Sequence, residues 1–355
     1  MNIQVAVIGG GASGLAAAAL LARAGVRTVV LEREVRVGKK LLVTGNGRCN
    51  LGNTSIDLAK YHGEVELARQ VFTNWQGSER FFNELGLVCR SDSEGWLYPY
   101  SNTANSVLDT LRAKHEHLTF MTDTPCVSLT RSDDVFVING DIRAERVIWA
   151  CGNAPLTLLQ RLGHTVVELF PALCPIMTDA KRTRPLKGLR VRSRARAIVN
   201  ETVLSEEQGE VQFGENSLSG ICIMNLSRWV REYGDSMQVS LDIAPEFSIV
   251  QLREWGLNGL FHSRIVSVLE REPIETVKDW RFPVVGVAPR NKAQIISGGI
   301  PARELQSDLE SRVCAGLYVI GEAVNIDGDC GGYNLEWAWA SSSCAVHAIL
   351  IKKLT

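Results

Sequence analysis

Two short apolar runs, separated by a longer helical pattern, open the chain. Ile3 to Ile8 and Val26 to Leu31 are rich in β-branched residues, which is typical of buried strands. Between them an alanine- and leucine-rich segment runs to about Ala24 and is followed by Gly25, a residue type that commonly ends a helix. The pattern predicts a strand, a tight turn, a helix and a second strand.

Apolar runs much further along the chain have the same character. The segment from Leu118 predicts a strand, then a hairpin that turns at Asn139-Gly140, and then the apolar strand Val147 to Ala150. Leu317 to Ile320 is another apolar run, and it stops at Gly321-Glu322. We expect these strands to join the first two, so the predicted fold is α/β, Rossmann-like and discontinuous in sequence.

The middle of the chain alternates between apolar and polar residues. The segments LRVRSRARAIV, MQVSLDI and, nearby, QIISGGI predict strands, whereas Ile249 to Glu270 has a helical pattern. We therefore predict a discontinuous first domain formed by residues 1–170 and 296–355. The inserted substrate domain, residues 171–295, is expected to be β-barrel-like with a helical part at about residues 225–275.

Composition narrows the range of functions. With 45% hydrophobic residues and a net charge of −1, the 355-residue chain has no overall attraction to nucleic acid or anionic membranes. Its 9 cysteines contain no CxxC pair, which favours reduced thiols and a cytoplasmic location. No apolar stretch predicts a membrane span. The 6 histidines lack ligand spacing, so no metal site is predicted, and His164 and His347 are expected to be structural.

A glycine-rich loop follows the first predicted strand. Gly9, Gly11 and Gly14 occupy the positions of a GxGxxG motif. There the first glycine allows a tight turn, the second lets a pyrophosphate approach the backbone, and the third lets helix and strand pack closely. Glu32 ends the second strand about twenty residues later, where a carboxylate accepts hydrogen bonds from ribose hydroxyls. This order of strand, glycine-rich loop, helix, strand and acidic residue predicts a cofactor that contains ADP.

The next segment, GKKLLVTGNGRCN, is a polar loop rich in glycine. Lys39, Lys40 and Arg48 are able to neutralise a pyrophosphate, while Gly45 and Gly47 free backbone amides for a planar ligand. A simple NAD domain would continue here into a helix and a third strand, so the loop favours FAD. The alternative is a solvated basic loop.

A second glycine-rich loop, NIDGDCGGYN, precedes a C-terminal helix. The pair Gly331-Gly332 allows backbone amides to lie flat against a ring edge, and Asn334 is predicted to cap a helix that begins at Leu335. The positive end of that helix would stabilise negative charge on a reduced flavin. Glu322 or Asp329 would bind the ribityl chain, although Asp329 alternatively caps a turn.

Five segments carry a family resemblance: GGGASG, GKKLLVTGNGRCN, LYPYSNTANSVLDTLR, SLSGICIMNLSR and GLYVIGEAVNIDGDCGGYN. They resemble the bacterial HI-type flavoproteins, a family of bile-acid-reductase-like and aminoacetone-oxidase-like FAD enzymes. The resemblance implies a glutathione-reductase-type FAD domain with both glycine-rich loops near the flavin. It also implies that Glu32 holds the adenosine ribose, that Val127 meets the adenine edge, and that Arg48, Cys49 and Asn50 line the ring.

The motifs and the resemblance together define one predicted cofactor-binding set. It consists of Gly9, Gly11, Ala12, Ser13, Gly14, Glu32, Arg33, Lys39, Lys40, Gly47, Arg48, Cys49, Asn50, Val127, Gly152, Gly321, Glu322, Asp329, Gly331, Gly332, Tyr333 and Asn334.

The resemblance also implies a reaction, the reduction of a carbonyl-activated carbon–carbon double bond in a small molecule by hydride transfer through flavin N5. Arg48 and Asn50 are the candidate catalytic residues: Arg48 and the GGYN amides would stabilise developing negative charge, and Asn50 would position the acceptor. Because only one GxGxxG unit is visible, NAD(P)H as electron source would dock transiently. Tyr98 and Ser101 are candidates for the pocket wall or for packing at a domain junction.

Three different functions remain open from the sequence. The first is nucleobase reduction or modification on RNA, docked on a row of arginines that share one face of a predicted strand: Arg190, Arg192, Arg194 and Arg196. The same row is also consistent with a solvated strand face, which the near-neutral overall charge favours. The second function is that of an amine or amino-ketone oxidase, and the third is that of a flavin redox sensor without turnover.

Overall fold

The computed structural model describes residues 2–152 and 156–354. The chain divides into two compact units, one formed by Met1–Leu169 with Ser297–Thr355 and the other by Phe170–Ile296. It passes from one unit to the other in the strands Val167–Ala172 and Ile295–Gly299.

A twisted parallel sheet forms the centre of the first unit. Its parallel strands lie side by side in the order Leu118–Met121, Thr28–Leu31, Asn2–Ile8, Ile142–Trp149 and Leu317–Val319. The antiparallel pair Leu129–Ser132 and Val135–Ile138 joins the start of Ile142–Trp149. These strands are apolar runs because both faces of the sheet are covered. The predicted Rossmann-like α/β fold is confirmed.

Helices cover this sheet and fix its glycine-rich connections. They are Ala12–Arg23, Val65–Phe72, Ser78–Glu84, Ala104–Leu111, Thr157–Arg161 and Tyr333–Leu354. The last of these packs against the first, and the Ser342 hydroxyl donates to the carbonyl of Ser13 at 2.8 Å. Small side chains at Ala338 and Ser341 are also buried on the C-terminal helix, so its backbone lies close to its neighbours.

Two small sheets extend the first unit and carry its polar loops. The strand Trp96–Pro99 lies between Gly52–Asn53 and Cys89–Ser91, and Tyr61–Gly63 pairs with Ile326–Gly328. Both sheets are antiparallel. The second one joins segments that are far apart in the sequence, and it fixes the base of the NIDGDCGGYN loop.

The second unit is a closed antiparallel barrel with short helices. Its strands follow one another around the barrel in the order Ile176–Thr178, Ser217–Ser219, Thr202–Phe213, Arg190–Val199, Gln238–Asp242 and Trp280–Val287. Its helices are Ala180–Thr183, Ile221–Leu226, Val230–Tyr233, Ile249–Trp255 and Ser263–Leu269. The predicted barrel is confirmed. The helical pattern predicted from Ile249 to Glu270 is present as two helices, because Gly256 ends the first one with a φ of 72°.

Candidate functional site

Polar and glycine-rich segments meet where the parallel strands end. The strands Asn2–Ile8 and Thr28–Leu31 lead into Gly9 and Glu32, while Ile142–Trp149 and Leu317–Val319 lead towards Gly152 and Glu322. Because parallel strands present all their carboxyl ends at one edge, the sheet brings these segments together from both ends of the chain. Open α/β sheets bind their ligands at this edge.

The three glycines of the GxGxxG motif have different surroundings. A Cβ atom on Gly9 would lie 2.7 Å from the Ala150 carbonyl oxygen, and one on Gly14 would lie 1.9 Å from the Gly9 carbonyl oxygen. These two positions therefore accept only glycine. A Cβ atom on Gly11 would meet no heavy atom within 4 Å, and the helix that starts at Ala12 has no capping side chain. The open space beside Gly11 faces amides at the positive end of a helix, an arrangement suited to a pyrophosphate.

Glu32 is fixed by the backbone at the end of its strand. Its two carboxylate oxygens accept hydrogen bonds from the Gly10 amide at 2.7 Å and from the Glu34 amide at 2.9 Å. Arg33 is exposed, with its guanidinium 3.6 Å from Glu34. The Lys39 ammonium donates to Glu34 at 2.9 Å and lowers the pKa of that carboxyl. In the structure Lys39 is thus paired with an acid.

Lys40 and Glu322 link the loop after the second strand to the end of the last strand. The Lys40 ammonium donates to the Glu322 carboxylate at 2.9 Å, and a Cβ atom on Gly152 would lie 3.8 Å from Glu322. Gly321 has a φ of 62°, and a Cβ atom there would lie 2.5 Å from the Ser13 hydroxyl. This glycine therefore lets the C-terminal strand end against the GxGxxG helix.

The loop around GNGRC has an unusual backbone. Asn46 and Cys49 have φ values of 54° and 60°, a conformation that non-glycine residues rarely adopt. The Arg48 guanidinium lies over the Tyr98 ring, 4.8 Å from its centroid. The Asn50 side-chain oxygen accepts from the Gly52 amide at 3.3 Å. Strained backbone of this kind is found mostly at functional sites.

The side chain of Cys49 points into the protein interior. It is fully buried beside Leu41, Leu51 and Leu97 in an apolar cluster. Burial raises the pKa of the Cys49 thiol to about 12, so the thiol stays protonated. It has the properties of a packing residue, and the exposed side chains of the GNGRC loop are those of Asn46 and Arg48.

The NIDGDCGGYN loop contacts the strand Gly52–Asn53, which follows the GNGRC loop. A Cβ atom on Gly332 would lie 2.4 Å from the Gly52 carbonyl oxygen, and the Asn53 side-chain amide donates to the Gly331 carbonyl at 3.3 Å. The indole nitrogen of Trp96 would be 3.3 Å from a Cβ atom on Gly331. The adjacent strand Trp96–Pro99 therefore contacts both loops, since Trp96 lies beside Gly331 and the Tyr98 ring lies under Arg48. The sequence indicated Tyr98 and missed Trp96.

The prediction that Asn334 caps the C-terminal helix is wrong. The C-terminal helix begins at Tyr333, so Asn334 lies inside its first turn. The Asn334 side chain accepts from the Gly328 amide at 2.9 Å and donates to the Gly328 carbonyl at 2.7 Å. It closes the loop from 328 to 333 and leaves the start of the helix uncapped by this residue.

Asp329 and Tyr333 are held by residues of a neighbouring strand. His62 lies 3.0 Å from the Asp329 carboxylate, and the Lys60 ammonium lies 3.6 Å from it. The Tyr61 hydroxyl donates to the Tyr333 carbonyl at 2.9 Å. These bonds fix the NIDGDCGGYN loop. Val127 lies apart from them, on the exposed hairpin, where its amide donates to the Asn139 side chain at 2.9 Å.

A buried carboxylate that the sequence did not single out holds the two loops in place. Glu336 is fully buried, and it accepts hydrogen bonds from the Ser78 amide at 3.0 Å, the Ser78 hydroxyl at 2.6 Å and the Asn53 amide at 3.3 Å. The Trp75 indole also donates to it. Burial raises the pKa of the Glu336 carboxyl, while these donors act in the opposite direction. The sequence did contain a sign of this buried acid, since Glu336 is the one acidic residue among the small and aromatic residues of LEWAWASS.

The arginine row in the second unit is largely paired. Arg190 lies 3.0 Å from Glu210, and both Arg194 and Arg196 contact Glu206, at 3.6 and 2.7 Å. These glutamates belong to the adjacent strand Thr202–Phe213. Pairing reduces the positive charge that the row presents, which favours the solvated-face interpretation over RNA docking.

The described part of the chain contains neither a membrane-spanning helix nor a metal cluster. None of its helices is both long enough and apolar enough to cross a membrane. Within the same residues, no group of three His, Cys, Asp or Glu side chains is arranged to hold a metal ion.

Similarity to known proteins extends along the whole chain. A family model described as HI0933-like protein Rossmann domain matches residues 3–348. The chain is 32% identical to 3-dehydro-bile acid delta(4,6)-reductase of Clostridium scindens over 97% of its own length and 98% of the relative. It is 25% identical to ribosomal RNA dihydrouridine synthase of Escherichia coli, with 98% of both chains covered.

A solved structure of quinol-fumarate reductase with menaquinol molecules has the same fold. It matches with a TM-score of 0.52 and 14% identity, over 100% of this chain and 72% of the other.

Proposed function

The chain belongs to the HI0933-like family of FAD-dependent oxidoreductases, and from that premise we propose that it reduces a carbonyl-activated carbon–carbon double bond in a small molecule. The observation that carries the proposal is the contact between Gly332 and Gly52, which joins the C-terminal glycine-rich loop to the strand that follows the GNGRC loop. A planar cofactor and a planar acceptor both need backbone that approaches closely.

The names of the relatives support this type of reaction. A delta(4,6)-reductase and a dihydrouridine synthase both saturate a carbon–carbon double bond, although one acts on a bile acid and the other on RNA. The relative at 32% identity acts on a small molecule. We infer that the double-bond chemistry is shared and that the acceptor of this chain is a small enone.

The residues at the strand ends fit FAD. The GxGxxG loop and the start of helix Ala12–Arg23 would hold the pyrophosphate beside Gly11, and Glu32 would accept from the ribose. The GNGRC loop and the Gly331-Gly332 pair would hold the ring system. Bound FAD would supply the hydride, at N5 of its reduced form.

The protein's own contribution is orientation and electrostatics. Arg48 keeps a positive charge above the Tyr98 ring, where it would stabilise negative charge that develops on the acceptor carbonyl oxygen. Backbone amides of Gly331 and Gly332, next to the start of helix Tyr333–Leu354, would add to this stabilisation. Asn50 would orient the acceptor. The electron source is proposed to be NAD(P)H, which would dock transiently.

The three competing functions make different predictions. RNA nucleobase reduction has support from the 25% identical relative, but the ion pairs of Arg190, Arg194 and Arg196 reduce the positive charge of the docking surface that the sequence suggested. An amine or amino-ketone oxidase would reduce the flavin with its substrate and release peroxide in air. A redox sensor would bind FAD without rapid turnover.

Anaerobic stopped-flow spectroscopy separates these functions. The purified protein is mixed with NADPH or NADH, and then with an enone, a uridine-containing RNA or air. We expect rapid bleaching of the flavin absorbance by a reduced nicotinamide, followed by recovery on addition of the enone. Recovery with RNA alone would favour the RNA function, and a protein without bound flavin would refute the proposal.

A further inference from the structure

The barrel unit carries a groove that the proposed oxidoreductase chemistry does not use. Its volume is about 200 Å³. The residues that matter for its chemistry are Val191, Arg192, Glu246, Phe247, Leu260 and Phe261. The groove therefore combines an apolar surface with one positive and one negative side chain.

The apolar part of the groove is formed by buried and half-buried side chains. Ile243 and Ala244 are buried at its base, and Phe247, Leu260 and Phe261 are half-buried around it. The Phe247 ring packs edge-on against the Trp255 ring at a centroid distance of 5.4 Å. Half-buried aromatic and branched side chains that converge on one groove provide a surface for a small apolar group.

The two charged residues of the groove differ from the paired charges around them. Arg190 and Arg194, on either side of Arg192 along its strand face, contact Glu210 and Glu206. In the described part of the chain, Arg192 and Glu246 form no ion pair with each other or with another residue within 4.0 Å. Both side chains are exposed, and Arg192 lies opposite Glu210, which pairs with Arg190. A ligand would therefore not have to break an ion pair of either residue.

The backbone that presents Glu246 and Phe247 is fixed from one side. The Phe247 amide donates to the Ala244 carbonyl at 3.0 Å, which closes a turn. The Lys278 ammonium donates to the Ala244 carbonyl at 2.7 Å and to the Phe247 carbonyl at 3.1 Å, and it lies 2.9 Å from Asp242. A rigid turn lowers the entropy lost when a ligand binds.

We propose that this groove binds an apolar α-amino acid as a zwitterion. Arg192 would bind its carboxylate, Glu246 its ammonium group, and the surface around Phe247 and Phe261 its side chain. A volume of about 200 Å³ limits the ligand to a small molecule, and the aromatic lining favours an aromatic or large branched side chain.

Other ligand classes fit less well. A simple carboxylic acid would leave Glu246 without a partner and close to a like charge, and an amine would do the same to Arg192. A zwitterion satisfies both side chains, and its apolar group covers the aromatic surface. The inference does not depend on flavin chemistry, because every residue in it belongs to the barrel unit.

Isothermal titration calorimetry of the full-length protein with L-phenylalanine tests the proposal. Three ligands serve as controls: 3-phenylpropionate lacks the ammonium group, phenethylamine lacks the carboxylate, and alanine lacks the apolar group. A contact between exposed charged groups changes affinity by about 1.5- to 5-fold. We expect L-phenylalanine to bind more tightly than 3-phenylpropionate and phenethylamine by about this factor, and more tightly than alanine because alanine buries no large apolar group.

Matched variants assign the two charges. Arg192→Gln should weaken L-phenylalanine binding about 1.5- to 5-fold and leave phenethylamine binding unchanged, and Glu246→Gln should weaken L-phenylalanine and strengthen 3-phenylpropionate. Arg196→Gln, which removes a paired arginine further along the same strand, should have little effect. A melting curve for each variant checks that it is folded. The proposal is overturned if L-phenylalanine does not bind at millimolar concentration, or if its binding is unchanged in both Arg192→Gln and Glu246→Gln.

Discussion

The Glu336 carboxylate accepts a hydrogen bond from the Ser78 hydroxyl at 2.6 Å across 258 residues of sequence. The same carboxylate accepts from the Asn53 amide, next to Gly52, whose carbonyl contacts Gly332. One buried side chain on the C-terminal helix thus ties that helix to the strand that follows the GNGRC loop. Its role is to position the loops, since its donors come from the segments that carry Asn53, Trp75 and Ser78.

Replacing Glu336 by Gln should loosen this connection. The new NH₂ group would face donors, so at least one buried donor would lose its acceptor, at a cost of about 1–3 kcal/mol. We expect a lower midpoint of urea unfolding and a lower fraction of bound FAD. Glu84→Gln is the matched control, because Glu84 pairs with Arg80 on the surface and should matter little. Unchanged stability of Glu336→Gln would remove the positioning role.

Alanine substitutions at two glycines of one motif should have opposite consequences. A Cβ atom at Gly11 meets nothing, so Gly11→Ala should fold normally and yet fill the space proposed for the pyrophosphate. At Gly14 it would overlap the Gly9 carbonyl, so Gly14→Ala should fail to fold. Circular dichroism measures folding, and flavin absorbance measures cofactor content. A Gly11→Ala protein with full FAD content would contradict the proposed pyrophosphate position.

Arg48 is expected to act on the acceptor and not on cofactor retention. Arg48→Ala should keep bound FAD and its reduction by NAD(P)H, but should slow reoxidation by an enone by roughly a hundredfold, because a preorganised charge at the carbonyl oxygen is lost. Arg69→Ala is the control, since Arg69 is paired with Glu66 on the surface, outside the predicted cofactor-binding set. Stopped-flow traces of the two half-reactions measure both effects. Full reoxidation speed in Arg48→Ala would exclude Arg48 from the mechanism.

A pH dependence of stability should arise from Glu304. Burial acts to raise its pKa, but hydrogen bonds from the Thr165 hydroxyl and amide and from His164 lower it below the ordinary value of 4.5. A lowered folded-state pKa contributes stability above the unfolded value, and that stability is lost as pH falls through the folded value. The melting temperature of the wild type should therefore approach that of Glu304→Gln as pH falls below about 4.5. A constant difference between them down to about pH 3 would contradict this assignment.

The parts of the fold that were predictable from the sequence are those that local patterns of apolar residues and glycines determine. The strand predicted from Ile3 to Ile8 and the helix to about Ala24 are present as Asn2–Ile8 and Ala12–Arg23. The apolar runs that form these elements, and the glycines that end them, can be recognised without knowledge of the rest of the chain. The alternating strand that carries Arg190 is present for the same reason.

Long-range pairing explains what local sequence patterns could not predict. Asparagine is a common capping residue, but Asn334 forms hydrogen bonds with Gly328 instead. The reason is that the antiparallel pair Tyr61–Gly63 and Ile326–Gly328 brings this loop back to the helix. The partners of the arginine row lie on the adjacent strand, outside any local window. The positions of the cofactor-binding residues remain predictions, because they depend on a ligand as well as on the fold.

Product analysis of a single turnover tests the proposed reaction most directly. The protein is reduced anaerobically, freed of excess nicotinamide and mixed with one equivalent of an enone, and the product is examined by mass spectrometry. The proposal predicts one equivalent of the saturated ketone, which carries two added hydrogen atoms on the former double bond. An unchanged enone beside flavin that remains reduced, or an alcohol formed by reduction of the carbonyl group, would contradict it.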